Sequence, residues 1–302
     1  MQFTWNVDPV LIHLGGGLGL RYYGLIFSLV FLGGFFLFRW QVLRAGGGED
    51  DAYGVILPGA LGAVIGARLG HCLFYELEHT LADPLWVLKI WQGGLASHGA
   101  VLGLFLALWW YARQRRQSLL ECLDRFMFST ALGATLVRIG NFFNSEIVGL
   151  KTGGSWGVRF PRWDGLPAEL APLRHPSQLY EAALGLISLG VLFWADRRFG
   201  REERPRGLLF GLGLTVYFTG RFLVEFVKEH QVLPSDFPLD MGHLLSIPAA
   251  AAGVAVLVWS WKRRVPAGWN PTGAPDVPTS RAAKPRPEKG RPGKSRGRRK
   301  NK

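Results

Sequence analysis

The chain has 302 residues, of which 48% are hydrophobic and 40 are glycine, and its formal net charge is +13. Apolar stretches of about 20 residues recur along it, long enough to cross a bilayer as helices, and they exclude an ordinary soluble domain. Most of the charge is local: after residue 280, eleven Lys/Arg stand against Glu288 alone, which leaves a net +3 for residues 1–280.

The stretch before Arg21 has no basic n-region and no small-residue cleavage pattern, so no signal peptide is expected. Seven spans are predicted, at 20–39, 52–75, 94–112, 119–142, 177–196, 207–228 and 243–261. Gly46-Gly47-Gly48 and the acidic Glu49-Asp50-Asp51 separate the first two. Leu85–Trp91, with Trp86 and Trp91, reads as interfacial and not spanning. Segment 145–176 is too long for a turn, and the alternating apolar residues of SWGVRFPRW predict a small extracytoplasmic hairpin. Cys72 and Cys122 lie in apolar runs and read as packed thiols, not a disulfide. Residues 265–302 are rich in Pro, Gly, Lys and Arg and cannot bury a core, so a disordered basic cytoplasmic tail is expected there. The tail reads as a solvated positive anchor, or as a contact for anionic lipid or nucleic acid; the first is preferred and no nucleic acid is expected. The fold class is thus an all-α integral membrane protein, with a membrane domain at 1–264.

Orientation follows from the Lys/Arg bias of the short loops. Arg39 and Arg44, then Arg113, Arg115 and Arg116, then Arg197, Arg198, Arg201, Arg204 and Arg206, then Lys262, Arg263 and Arg264 follow spans one, three, five and seven. The C-terminus is therefore expected inside and the N-terminus outside. Arg138, Asn141, Asn144 and Glu146 then fall at the outer end of span four, and His98 near that of span three. Tyr23 opens span one from the same side. His175, Gln178, Tyr180 and Glu181 open span five, and Met241, His243 and Ser246 open span seven. Tyr217, Arg221 and Glu225 recur every four residues and form one stripe on span six. Arg68 and His71 sit in the outer half of span two. Charged groups in a span usually face a bundle interior and mark function. Their shared level predicts a cavity at the outer leaflet. Its arginines call for an anion, and a lipid phosphate suits a guanidinium, which can grip it with two donors.

The same residues carry a resemblance. RYYG at 21–24, GGLASHGAVLG at 93–103, RIGNFFNSEIVG at 138–149, HPSQLYEA at 175–182, RFLVEF at 221–226 and MGHLLSIP at 241–248 resemble, in order and spacing, the bacterial prolipoprotein diacylglyceryl transferase family across roughly residues 15–262. The resemblance implies an integral membrane enzyme of the bacterial cell membrane. It would move the diacylglyceryl group of phosphatidylglycerol to the lipobox cysteine of a preprolipoprotein, form a thioether and release glycerol phosphate. It implies no metal and no organic cofactor. Family positions fall on His98, Arg138, Asn141, Glu146 and Arg221, with support from Tyr23, Asn144, Tyr217 and Glu225. Three departures stand out: Ala100 where a second glycine is usual, Ser145 for a common glycine, and His243 where glutamine is expected.

Chemically, a thiol with a pKa near 8.5 needs a base or a positive field, and His98 is the available base. Arg138 and Arg221 would hold the phosphate and stabilise the charge gained on leaving. Asn141 and Asn144 would orient the head group, and Glu146 would fix Arg138 or contact the glycerol. Plainer readings stand beside each: a structural imidazole for His98, bundle ion pairing for the arginines, helix capping for the asparagines and loop solvation for Glu146. A transporter is disfavoured because the inner halves of the spans look nearly bare apart from Glu121, Asp124 and Arg125. A retinal protein would need a lysine within 243–261, and there is none. A lipid-binding scaffold without chemistry is not excluded by composition.

Overall fold

Few helix breakers interrupt the predicted spans, and each folds as a helix. The structure, a computed structural model, describes residues 2–16, 18–229 and 239–269. The long helices are α1 (Tyr22–Arg44), α3 (Ile56–Phe74), α5 (Ser97–Gln114), α6 (Leu119–Phe143), α8 (Ser177–Arg198), α9 (Leu208–Glu225) and α10 (Met241–Arg263). The short α2 (Glu49–Tyr53) leads into α3, α4 (Leu77–Ala82) follows it, and α7 (Pro161–Asp164) lies between α6 and α8. Six helical stretches are long and apolar enough to cross a membrane: α1, α2 with α3, α6, α8, α9 and α10. The seventh expected span, α5, reaches 18 residues but is not among them. Ser97, His98, Arg113 and the Trp109-Trp110-Tyr111 run lower its hydropathy.

Helix α6 is central and packs on α1, α8 and α9, while α9 pairs with α10 and α3 with α5. The α3–α5 contact is built on glycine. A Cβ on Gly62, Gly66 or Gly70 would strike the opposite helix at Gly99 or Gly103. Small residues let membrane helices approach to backbone contact, where dispersion replaces the absent hydrophobic drive.

Five strands lie at one end. β1 (Gln2–Thr4) runs parallel to β4 (Gly157–Arg159), which pairs antiparallel with β5 (Leu173–Arg174). The expected hairpin in 145–176 is therefore present, and the N-terminus adds a third strand to it. The Trp5 indole N–H also donates to Phe142 O at 2.8 Å. N-terminus and 145–176 thus share one end of the bundle. β2 (Val10–Gly15) and β3 (Leu18–Arg21), an antiparallel pair, were not expected from the sequence.

The opposite end corrects two expectations. Glu121, Asp124 and Arg125 are fully buried, and they are not isolated. Arg125 pairs with Glu121 and Glu202 at 2.5 Å each, and Arg44 pairs with Asp196 at 2.6 Å and Glu202 at 2.9 Å. Arg206 reaches Glu121 at 3.3 Å, and Asp124 accepts from the backbone N–H groups of Gly207 and Phe210. Burial pushes the Glu202 carboxyl up, but the guanidiniums of Arg125, Arg204 and Arg44 together outweigh it and hold the group below the usual carboxylate range. This end is therefore a dense ionic knot, because Glu202 and Arg206 of the α8–α9 loop fold back onto Arg125 and Glu121.

The tail boundary also moves. Residues 265–269 fold back: Arg206 N–H donates to Val265 O, and Ala267 N–H to Arg204 O. Trp269 is buried among Phe38, Val42, Tyr111 and Cys122, with its indole N–H on Asp51 at 3.1 Å. Only 270–302 remains of the predicted tail, and it lies outside the described residues. Truncation after 269 is expected to leave the melting temperature of the detergent-purified protein nearly unchanged. Truncation after 264 removes the Trp269 anchor and should cost about 3 kcal/mol, read as a clear drop in melting temperature. Equal melting curves for the two truncates would refute the anchor.

Candidate active site

The strand-bearing end gathers the predicted polar groups from four helices. The last turn of α6 supplies Arg138 and Asn141 three residues apart, and Asn144 is its C-cap. The chain then turns sharply, with Ser145 at φ +53° and Ile147 at φ +57°. Left-handed backbone is unusual for any side chain and strained for a β-branched one, and such strain clusters at functional sites. The departure from glycine at Ser145 falls on a position where glycine would be unstrained. The start of α8 pins the turn: Ser177 Oγ donates to Ile147 O at 2.9 Å, and Gln178 Nε2 to Glu146 O at 2.8 Å.

The centre of the site is Glu181. Its carboxylate, 1% exposed, pairs with Arg138 Nε, with Arg221 Nη1 at 3.1 Å and with Lys228 Nζ at 3.5 Å. Lys228, itself buried, lies 3.3 Å from Glu225, and Arg221 lies 3.9 Å from Glu225. The α9 stripe thus faces the chamber, with the Tyr217 hydroxyl beside Arg138 and Arg221. Gly242 at the start of α10 leaves the space that the Glu225 carboxyl fills. The ion-paired set holds three cations against two carboxylates. The arginine side chains remain 16% and 18% exposed, so they can be approached from one side.

A relay runs from this set to the turn. Arg138 Nη1 donates to Asn141 Oδ1 at 3.2 Å, and Asn141 Nδ2 donates to Glu146 Oε1 at 2.7 Å. Asn144 Nδ2 adds a bond to the same oxygen at 3.3 Å, and the Tyr23 hydroxyl lies beside Asn141. Glu146 therefore acts on Arg138 only through Asn141. Sequence reasoning offered Glu146 to Arg138 and unspecified ion pairing within the bundle to both arginines. It missed Glu181 and Lys228 as partners, since Glu181 lies about 40 residues from both arginines.

Other predicted residues lie elsewhere. Arg68 is buried, but it does not belong to the arginine chamber. It donates to the carbonyls of Trp86 and Gly93 at 2.6 Å and of Val87 at 3.0 Å, and it stacks over the Trp86 ring. It satisfies the carbonyls of a tightly turned segment that has no regular ladder of its own. His71 packs beside Tyr75 and Trp86. His98 is exposed, its ring 5.4 Å from Phe74 and 5.7 Å from Tyr75, and it makes no hydrogen bond among the described residues. The expected single level is therefore divided: Tyr23, Arg138, Asn141, Asn144, Glu146, Tyr217, Arg221 and Glu225 cluster, and His98, Arg68 and His71 belong to the α3–α5 pair. His175 bonds Tyr180 at 3.3 Å and packs on Trp156, lining the hairpin. His243 caps α10, its Nδ1 accepting from Asp240 N–H at 3.1 Å.

Two partly exposed guanidiniums thus meet on one buried carboxylate at the end of a helical bundle. The fold and this site together define a multi-pass membrane protein with a polar, arginine-bearing chamber. A family model described as prolipoprotein diacylglyceryl transferase matches residues 9–259, and the chain belongs to that family. Similar proteins include the phosphatidylglycerol–prolipoprotein diacylglyceryl transferase of Chloroherpeton thalassium, 43% identical over 261 residues, covering 86% of this chain and 94% of the relative. The protein of the same name from Tolumonas auensis is 41% identical over 263 residues, covering 86% and 98%. That of Vibrio cholerae is 40% identical over 268 residues, covering 87% and 94%.

Proposed function

We propose that this chain transfers the diacylglyceryl group of phosphatidylglycerol to the lipobox cysteine thiol of preprolipoproteins, the first step of bacterial lipoprotein maturation. The thiolate attacks the glyceryl carbon, a C–S bond forms, and the C–O bond to phosphate breaks. The electron pair leaves with glycerol phosphate. The observation that carries this reading is the convergence of Arg138 and Arg221, from separate helices, on one buried carboxylate with their outer faces open.

The phosphodiester carries one negative charge and the departing phosphomonoester approaches two. A fixed positive field therefore binds the product-like transition state more tightly than the substrate, which is the condition for catalysis. Arg138 and Arg221 are assigned the phosphate, Asn141, Asn144 and Tyr23 the head group, and Tyr217 and Glu225 the support of Arg221. Glu146 holds Asn141. His98 is assigned the thiol proton; it is exposed on the α3–α5 pair, outside the arginine cluster, so the cysteine segment would have to reach from one to the other.

We further assign α5 as a seventh span, paired to α3 through glycine, and the enzyme to the bacterial plasma membrane with the chamber at the outer leaflet. The arginine-rich loops at the opposite end support that orientation. Purified protein given labelled phosphatidylglycerol and a lipobox peptide should yield a labelled thioether. The label should stay with phosphatidylglycerol when the cysteine is replaced by serine. A folded protein that makes no thioether in this assay would overturn the activity. Reporter fusions at residues 45 and 115 should read cytoplasm, and one at 165 the outside; a cytoplasmic reading at 165 would overturn the orientation.

A further inference from the structure

A second polar and aromatic site lies at the arginine-rich end, away from the chamber. Helices α1 and α8 each pack on α6, and a crevice between them is lined by Trp40 and Arg44 of α1 and by Phe193 and Arg197 of α8. Its walls Trp40 and Phe193 touch at 5.8 Å, and both pack on Phe128 of α6, at 6.0 and 4.9 Å. Arg44, stacked on Trp40, closes the inner end of the crevice through its paired bonds to Asp196 at 2.6 and 2.8 Å. That closure is charge-neutral and rigid.

Two adjoining open depressions of about 320 and 440 Å³ lie along the crevice and share Phe193 and Arg197. Gly190 lines the second, and a Cβ there would meet nothing, so the groove stays open along the helix. Trp194 stands 61% exposed beside it. At the mouth, Arg197, Arg198 and Arg201 are exposed, and their guanidiniums have no acid partner among the described residues. Arg197 and Arg198 occupy the last turn of α8, where the helix dipole favours cations and fixes their place.

We propose that this crevice holds one anionic phospholipid of the adjacent leaflet. Its phosphate rests on Arg197 and Arg201, and one acyl chain lies over Gly190 between Phe193 and Trp194. The recognising chemistry is specific: an aromatic slot for a chain, at the level where α8 ends, under unpaired guanidiniums suited to a phosphate. This site is independent of the transfer chemistry and needs no residue of the chamber.

Native mass spectrometry of the purified protein tests it, with phosphatidic acid and phosphatidylcholine of identical chains as probes. The wild type should retain one phosphatidic acid that Arg197→Gln/Arg201→Gln loses, while the lipid lost by Arg138→Gln is a different one and the two losses add. Each arginine near an anionic head group contributes enough that removing two should weaken this site about thirtyfold. Gly190→Leu fills the open groove without touching charge and should lose the same lipid with an unchanged melting temperature. Arg113→Gln/Arg116→Gln, at the same end on another helix, should keep it. Unchanged retention in both crevice variants, equal loss in the Arg113/Arg116 control, or equal retention of phosphatidylcholine would each overturn the proposal.

Discussion

Arg138→Gln should lower diacylglyceryl transfer by a few hundredfold or more, with little loss of stability. A single preorganised donor to a developing oxyanion is worth on the order of 3–4 kcal/mol, or about a hundred- to a thousandfold in rate. Arg138 makes two described contacts, one to Glu181 and one to Asn141. In the variant, Glu181 keeps Arg221 and Lys228, so no carboxylate is left buried and alone. Arg138→Lys keeps the charge but loses the planar fork that can hold Glu181 and a phosphate at once, and it should recover only a small part of the rate. Transfer by purified variants, beside their melting temperatures, gives the answer. Near-normal transfer in Arg138→Gln would make this arginine structural and move the phosphate to Arg221.

Glu181→Ala should behave in the opposite manner, with loss of stability as well as activity. The carboxylate is the meeting point of three cations, and without it only Glu225 remains to offset them within the ion-paired set. Breaking a buried ion pair by removing one partner costs about 3–5 kcal/mol, because the stranded charge cannot return to water. Glu181→Gln keeps the volume and one acceptor, so it should fold better than the alanine variant while still misaligning both arginines. Glu181 touches no reacting atom in this scheme and is a positioning residue. Its signature is a coupled fall in melting temperature and in kcat, partly rescued by Glu181→Asp. A Glu181→Gln protein with wild-type melting and wild-type transfer would remove it from the mechanism.

What the sequence made legible is local. The spans were readable because lipid demands long apolar runs, and the stripe at Tyr217, Arg221 and Glu225 because helical spacing fixes which residues share a face. The RIGNFFNSE stretch declared itself by its cost in a membrane helix. What stayed hidden depends on distant partners. Nothing in HPSQLYEA says that Glu181 will lie between Arg138 and Arg221, and nothing near Arg68 says that carbonyls about 20 residues later will absorb it. The same holds for Glu121 and Arg125, whose partners Arg206 and Glu202 come from a loop that reads as solvated. Trp269 looked like tail because its composition window is dominated by proline and glycine, yet one large aromatic with an indole donor sufficed to bury it. The β2–β3 hairpin was missed because its apolar residues blend into the run that begins α1.

The surplus of one cation in the Arg138, Arg221, Lys228, Glu181 and Glu225 set has a consequence for handling the protein. If that set binds an anionic head group, the folded protein gains free energy from it by simple mass action. Lipid stripped away in detergent would then be missed twice, once as substrate and once as part of what keeps the bundle closed. Turnover has the same logic: glycerol phosphate leaves more easily when another anionic lipid is at hand to take its place, so the surrounding membrane acts as the counterion reservoir of the enzyme.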